Sequence, residues 1–493
     1  MNEKTKSNLR WWILLTVIIG TFLGRLDQTI VGLALPKIID EFGITVTSAG
    51  WISTAYILAN AVFVPIWGKL GDTIGQKRVY ILGFSLFIGG SILAGAAWNL
   101  GSMIVFRVIQ AIAGSADYPT AMAILAITFP GGKERAQAMG IWSSAFAASA
   151  VFGPLIGGPI IDNFGWRWVF YINLPIGVIG LLMALIFIGE SKKEESFAGF
   201  DWYGALALGA SLTSLVLVLD KGLDWGWLSG YSLLCYLGTI LFMAIFIMIE
   251  KRQLNPIVDL NFFKNSVFVS VIANNFIVFL SMMGAIFLIP IFAQIYLGLD
   301  ATQTGYLFMP MAGALLLAAP LGAALTGRVK SNYVIMASTF VAAFGLFLFT
   351  FLDPRSGSLN IMIPMGIMAF GMGFGMSQRT SIIASAVPIQ EIGSASSVLA
   401  LARNISGAFG IAIFGTILQN ATYSYMSQTV QNSILNIHTP QNVQTFVALM
   451  ILKSQVLAYD RVFLIASITL FIGAIGAYWI KVKEEVKAEV YVE

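Results

Sequence analysis

The chain contains fourteen apolar runs of about twenty residues, separated by short polar or charged segments. A helix of that length is about 30 Å long, which matches the hydrocarbon core of a bilayer. Only 11% of the residues are charged, whereas soluble domains have about 25%. The sequence therefore predicts an all-α polytopic membrane protein with fourteen transmembrane helices. The predicted spans are residues 11–35, 46–68, 79–98, 100–128, 136–160, 168–189, 201–219, 231–249, 266–291, 303–325, 332–352, 360–386, 395–419 and 460–481.

Lysine and arginine are distributed unequally over the segments between these spans. With the N-terminus inside and the spans alternating, eighteen of the 28 basic residues lie on the inner side and six on the outer side. Cytoplasmic loops carry such an excess. We therefore expect a multi-pass protein of the cell membrane with both termini in the cytoplasm. The first apolar run is too long for a cleaved secretory signal and is expected to remain as the first helix.

Two charged segments divide the spans into groups of six, two and six. They are residues 190–196 (ESKKEES) and residues 250–264, and they enclose two spans without interior charges. The division predicts an N-terminal six-helix bundle (1–190), a linker with two extra transmembrane helices (191–264) and a C-terminal six-helix bundle (265–493). The polar segment 420–459 is predicted to form a long outer loop.

Several function classes lack the residues they need. The chain has one cysteine, Cys235, and one histidine, His438, too few for a disulfide framework, a cysteine or histidine metal site, or a histidine-based catalytic group. It has no GxxxxGK[ST] nucleotide loop, and its basic residues are scattered, which argues against nucleic-acid binding. We expect no enzyme, no metal and no bound cofactor, and we expect a monomer.

Asp27 and Arg25 lie inside the first span. Ionisable groups at that depth are costly unless they face a protein interior or a water-filled path, so they indicate a functional site. A structural ion pair between helices is the alternative for both. Two residues turn a helix by about 200°, so the two side chains point to different faces.

Asp117 is the second acid within the spans. It lies two turns beyond Gln110 in the fourth span, which puts both on one face of a continuous helix. An acid there could bind a cationic compound or relay a second proton. It could also be a pairing partner for Arg25 or Arg403.

Residues 68–78 (GKLGDTIGQKR) resemble the signature loop of the major facilitator superfamily. Gly68 and its neighbouring glycines allow a tight turn and close backbone approach. Asp72 is expected to cap the following helix or to pair with lysine and arginine of the neighbouring loop, and Lys77 and Arg78 belong to the same motif. Such a pair would form a cytoplasmic latch that can open.

Four further stretches are similar to motifs of one branch of that superfamily. Gly140 to Gly158 resembles the antiporter motif G-x8-G-x3-GP-x2-GG, and its glycines permit close helix packing and a bend at the proline. The others are residues 26–36 (LDQTIVGLALP), 107–114 (RVIQAIAG) and 166–177 (WRWVFYINLPIG). With fourteen predicted helices, they resemble the EmrB/QacA-type drug:proton antiporters. The motif positions at the end of the antiporter stretch are Gly153, Pro154, Gly157 and Gly158.

The resemblance implies that the first and fourth spans are neighbours. At 1.5 Å per residue, Asp27 lies about 13 Å inside Pro36 and Arg107 about 11 Å inside Leu100, so they share a level. A nearby cation favours the ionised form of a carboxyl group, whereas desolvation disfavours it. We therefore predict that Arg107 controls the protonation of Asp27 during transport.

The resemblance also implies proton-coupled efflux of lipophilic, cationic compounds by alternating access, driven by the proton gradient. A proton-coupled exporter of a lipid, fatty acid or endogenous metabolite is the alternative, and no constellation supports a receptor or a membrane enzyme. Arg403 is expected to gate or to pack, and Arg379 to reach the inner interface without a role. The predicted cavity residues are Arg25, Gln28, Tyr56, Gln110, Tyr118 and Trp142.

Overall fold

The computed structural model describes residues 3–44, 46–129, 133–190, 201–253, 256–299, 301–388, 391–431 and 440–480. The described residues form α-helices joined by short turns, and no strand occurs among them. The helices are α1 (Glu3–Phe42), α2 (Val46–Ile74), α3 (Gln76–Gly95), α4 (Leu100–Gly114), α5 (Asp117–Thr128), α6 (Lys133–Phe164), α7 (Trp168–Tyr171), α8 (Asn173–Phe187), α9 (Trp202–Trp225), α10 (Gly230–Glu250), α11 (Ser266–Tyr296), α12 (Ala301–Tyr306), α13 (Met309–Ala324), α14 (Ser331–Leu348), α15 (Leu359–Ser385), α16 (Ile392–Gln431) and α17 (Pro440–Ala477).

Thirteen stretches within these described ranges are long and apolar enough to cross a membrane. Three of them combine consecutive helices, α4 with α5, α7 with α8, and α12 with α13. The predicted fifth span corresponds to α6, which has 32 residues but is not among the thirteen. Several side chains in the middle of α6 lie outside the described residues, so its length and composition are not tested there as a membrane span. The multi-pass helical fold is therefore confirmed, while the count of fourteen and the linker arrangement stay predictions.

The segment 420–459 is largely helical, and the prediction of a long loop there is wrong. α16 continues to Gln431 and α17 begins at Pro440, while 432–439 lie outside the described residues. No glycine or proline occurs between Gly415 and Pro440, so polar composition alone does not end the helix. Proline is tolerated in the first turn, where its missing N–H has no helical partner. Both helices therefore extend beyond the apolar spans.

The N-terminal and C-terminal halves of the chain meet along several helix pairs. α2 and α5 pack against α16, and α6 packs against α13 and α15. The contact of α2 with α16 is close, because a Cβ atom on Gly68 would lie 2.7 Å from the carbonyl oxygen of Gly393. This close approach positions the polar groups described below between the two halves.

α9 also contacts both halves at the end predicted to face outward. The Thr54 hydroxyl on α2 donates to Asp220 Oδ2 at 2.7 Å. Trp227, just after α9, donates its indole N–H to Thr416 Oγ1 on α16 at 3.0 Å. The predicted boundaries at 190 and 264 are not tested by these contacts and stay predictions.

Candidate functional site

Asp27 lies at the centre of a fully buried polar cluster formed by α1, α3, α4 and α8. Arg107 Nη1 donates to its Oδ2 at 2.6 Å. Gln110 Nε2 and Asn173 Nδ2 each donate to its Oδ1 at 2.9 Å. The exposed fraction of the side chain is 0% for Asp27 and 2% for Arg107. Both carboxylate oxygens therefore have donors, and the charge is balanced by a cation in direct contact.

The rest of the cluster fixes these donors but leaves one arginine nitrogen unused. Ser91 Oγ accepts from Gln110 at 2.6 Å and from Asn173 at 3.2 Å. The Arg107 guanidinium lies 4.0 Å from the centre of the Tyr56 ring, whose π face attracts cations. Arg107 Nε is buried without a hydrogen-bond partner. Arg107 is therefore held by several contacts, but its Nε–H lacks a hydrogen bond. Another acceptor can therefore compete for this side chain.

A small polar cavity lies beside this cluster, between the two halves of the chain. Its volume of about 20 Å³ has room for about one water molecule, whereas sites for drug-sized ligands have about 300–1,000 Å³. The cavity is therefore closed to cargo in this conformation. It is lined by Thr21, Gly24, Arg25, Gln28, Tyr56, Asn60, Val64, Gly114, Ser115, Asp117, Tyr118, Ala400 and Asn404.

Two residues predicted to line the cavity do not line it in this structure. Gln110 has no exposed surface because it bonds to Asp27 and Ser91. Trp142 is equally buried, and its indole N–H donates to Thr21 Oγ1 at 3.0 Å. The predicted residues Arg25, Gln28, Tyr56 and Tyr118 do line it, together with Asn60 and Asn404, which sequence reasoning missed.

Asp117 faces the same cavity from the start of α5. α4 ends at Gly114 and α5 begins at Asp117, while Ser115 and Ala116 between them keep right-handed helical backbone angles, so the same-face arrangement stays a prediction. Oδ1 of Asp117 is buried without a hydrogen-bond partner. Among the described residues no ion pair within 4.0 Å joins Asp117 to Arg25 or Arg403. The expected structural pairing is therefore absent from this part of the chain.

Arg379 does not reach the membrane interface, so that prediction is wrong. Its side chain is 2% exposed. Nε donates to Asn274 Oδ1 and Nη2 donates to Thr339 Oγ1, each at 2.7 Å. α11 and α14 pack against α15 and cover this position, which hydropathy along one helix cannot show. The sequence did contain a signal of this buried partner, because Asn274 lies within the apolar run of α11.

Asp72 joins α2 to the amino end of α16 on the side predicted to face the cytoplasm. Its Oδ2 accepts from the Ser394 backbone N–H and hydroxyl, each at 2.8 Å, and its Oδ1 accepts from the Gly393 N–H at 3.1 Å. The first N–H groups of a helix have no internal partner and attract negative charge. Asp72 Oδ1 also accepts from the side-chain amide of Gln76, the first residue of α3, at 2.8 Å. Among the described residues Asp72 forms neither a backbone cap of α3 nor an ion pair with lysine or arginine. A contact between the two halves exists, but with a different partner.

The neighbouring basic residues bind elsewhere. Lys77 Nζ donates to the Leu185 carbonyl at 3.0 Å, and Arg78 pairs with Glu190 at 3.4 Å. Both contacts stay within the N-terminal half. Lys77 and Arg78 thus contact the end of α8 and the residues just after it, whereas Asp72 contacts the start of α16.

The antiporter-motif glycines bring α6 against α1 beside Asp27. A Cβ atom on Gly153 would collide with Thr29 Oγ1, and one on Gly157 would collide with Ile30 Cγ1. Gly158 has open space around its Cα. The backbone of Pro154 is part of α6, and its side chain lies outside the described residues. Movement of α6 would therefore be transmitted to the turn of α1 that carries Asp27.

Comparisons with known proteins agree with this architecture. Residues 17–411 match the family model described as Major Facilitator Superfamily. The chain is 33% identical over 422 residues to the Multidrug transporter protein MdtP of Bacillus subtilis (strain 168), covering 85% of this chain and 77% of that protein. It is 31% identical over 421 residues to the Riboflavin transporter RibZ of Clostridioides difficile (strain 630), covering 84% and 90%.

A solved structure supports the fold alone. The human organic anion transporter MFSD10 (TETRAN) superposes with a TM-score of 0.63 at 13% identity, covering 94% of this chain and 99% of that one. At this identity the likeness carries no information on cargo. The family match over most of the chain confirms the resemblance found in the sequence motifs. The chain is therefore a member of the major facilitator superfamily, a transporter and not an enzyme.

Proposed function

We propose that this transporter is a proton-coupled efflux protein of the cell membrane that exports lipophilic compounds by alternating access. The observation that carries the proposal is the buried Asp27, which lies in a membrane-spanning helix with Arg107 at 2.6 Å. A buried acid balanced by one cation can exist in two protonation states with different partners. The name of the relative MdtP supports drugs as cargo, and the name of RibZ keeps a metabolite as the alternative.

In this proposal the proton acts on the contact between Asp27 and Arg107. Protonation removes the negative charge, and a buried cation left without its partner is strongly unfavourable. Arg107 then turns to other acceptors, and the packing of α1 against α4 and α8 changes with it. A proton that crosses 100 mV supplies about 2.3 kcal/mol, so no nucleotide or other cofactor is needed.

The proposed orientation has both termini in the cytoplasm and the Asp72 contact on the inner side. With that contact made and the cavity closed, the conformation described here is shut toward the cytoplasm. Export then alternates between breaking the Asp72 contact to admit cargo and remaking it before release. The transporter acts as a monomer in this proposal.

The charge of the cargo is a separate question. The expectation of cationic cargo depended on acids that face the cavity. Asp27 is engaged by Arg107, and within the described ranges Asp117 is the remaining acid of the cavity lining. The preference for cations therefore depends on one carboxylate that lies beside Arg25, and it stays a prediction.

Compound-driven proton movement in vesicles tests the function. The purified chain is reconstituted with a pH-sensitive dye in the lumen, and ethidium or riboflavin is added to one side. We expect a saturable pH change that needs both protein and compound and disappears with a protonophore. Uptake of either compound without any pH change would contradict proton coupling, and riboflavin as the better driver would favour the metabolite alternative.

A further inference from the structure

We infer that the cavity recognises its cargo through an anionic group, such as a carboxylate or sulfonate, attached to a lipophilic body. The inference assumes from the proposed function that cargo passes through this cavity. It starts from Arg25 and Arg403, which come from opposite halves of the chain and approach the same aromatic ring. The Arg25 guanidinium lies 4.2 Å from the centre of the Phe146 ring and that of Arg403 lies 5.7 Å from it.

Neither arginine forms an ion pair with a carboxylate of the described residues. Arg25 Nη1 donates to Gln28 Oε1 at 2.8 Å, and Arg403 Nη1 donates to the Tyr118 hydroxyl. The ion pairs within 4.0 Å in the described ranges include neither residue. Neutral acceptors and ring faces offset a buried cation less well than an anion does. Two such cations around one ring form a place where negative charge is favourable.

The charges around the cavity sum to a positive value. Arg25 and Asp117 line the cavity, and Arg403 lies behind the lining, where it donates to the Tyr118 hydroxyl. Asp27 and Arg107 offset each other at 2.6 Å. Arg25 and Arg403 then remain against Asp117, which leaves a net charge of about +1 in a low-dielectric region where it is poorly screened. A cationic cargo would meet this charge at close range.

The cavity also supplies the geometry that a carboxylate needs. A guanidinium presents paired N–H donors that match the two oxygens of a carboxylate. Tyr56, Tyr118 and the amide groups of Asn60 and Asn404 line the same space and can donate further hydrogen bonds. An anion bound between Arg25 on α1 and Arg403 on α16 would bridge the two halves. Such a ligand distinguishes closed from open conformations, as transport requires.

The membrane potential favours this cargo charge in an exporter. An anion that leaves a cell with a negative interior moves down the electrical gradient, and inward proton movement is driven in the same electrical sense. The membrane potential therefore drives both steps when an outgoing anion is exchanged for an incoming proton. Cargo and proton need not compete for Asp117 in this scheme. Asp27 and Arg107 lie outside the cavity lining, and they can couple proton movement to cargo movement through helix packing.

Binding of three matched probes to the purified full-length chain tests the inference without requiring transport. The probes are pyrenebutyrate, its neutral methyl ester and pyrenemethylammonium, and the readout is pyrene fluorescence. We expect the carboxylate to bind about tenfold more tightly than the ester, as one charge-assisted contact allows. Arg25→Gln is expected to remove this advantage and leave ester binding unchanged, while Arg25→Lys keeps most of it.

Asp117→Asn separates the two cargo charges by the sign of its effect. Loss of that negative charge is expected to tighten carboxylate binding several-fold if the cavity selects anions. If the cavity selects cations, the ammonium probe binds best and Asp117→Asn weakens it. That result, or equal binding of all three probes, would overturn the inference.

A control variant and the vesicle assay keep the outcomes distinct. Arg10→Gln removes a surface arginine that pairs with Glu134 at 3.2 Å, and it should leave the binding of all three probes unchanged. Unchanged ester binding shows that Arg25→Gln is folded. Proton movement without an anion preference would refute the cargo class alone, whereas an anion preference without proton movement would refute the proposed function alone.

Discussion

Asp27→Asn is expected to reduce compound-driven proton movement to the rate of protein-free vesicles. Asparagine has nearly the same shape as aspartate and can still accept from Gln110 or Asn173, but it cannot carry a proton. Arg107 then loses the charge that it contacts at 2.6 Å. Breaking a buried pair from one side costs about 3–5 kcal/mol, so this variant is also expected to be less stable.

A second variant separates loss of coupling from loss of stability. Asp27→Asn combined with Arg107→Gln removes both charges, so no uncompensated cation remains in the cluster. We expect the double variant to regain much of the thermal stability, measured by the unfolding midpoint of the purified chain, without regaining proton coupling. Asp162→Asn, which changes an exposed acid near the end of α6, is the matched control and should behave as the wild type. Intact coupling in Asp27→Asn would place the proton elsewhere.

The contact of Asp27 with Arg107 could be predicted from the sequence. Depth along two straight helices, together with a resemblance that made the helices neighbours, pointed to a pair that the structure joins at 2.6 Å. Asn173 was missed as a member of the cluster because the stretch 166–177 was used only as a family motif. Its side chain reaches Asp27 because α8 begins at that residue.

Other predictions were incomplete or wrong because they depended on helix breaks and on packing between helices, which the pattern of a single helix does not show. The fourth span was treated as one helix, whereas the structure interrupts it between Gly114 and Asp117. Arg379 was placed at the interface because depth does not reveal which face another helix covers. The partners of Asp72 on α16 lie more than 300 residues away, so they depend on how the two halves meet.

Gly68→Val is expected to prevent closure on the inner side and to stop export. Gly68 lies where α2 and α16 are in close contact, because a Cβ atom there would lie 2.7 Å from the Gly393 carbonyl oxygen and 2.8 Å from Ser397 Cβ. Valine adds two further methyl groups, so the helices must separate. Asp72 then loses its reach to the amino end of α16, although its own side chain is unchanged.

Distances between spin labels measure this separation directly. Labels at Arg78 and Arg328, exposed positions in the two halves, should show a longer mean distance in Gly68→Val than in the unsubstituted transporter. Export should fall to background, while the ester probe still binds, because the cavity residues are untouched. Gly89→Val is the matched control, since a Cβ atom at Gly89 meets no atom within 4 Å and the helix-propensity change is the same. Unaltered label distances together with normal export in Gly68→Val would show that closure does not need α2 and α16 to meet there, and the role assigned to Asp72 would fall with it.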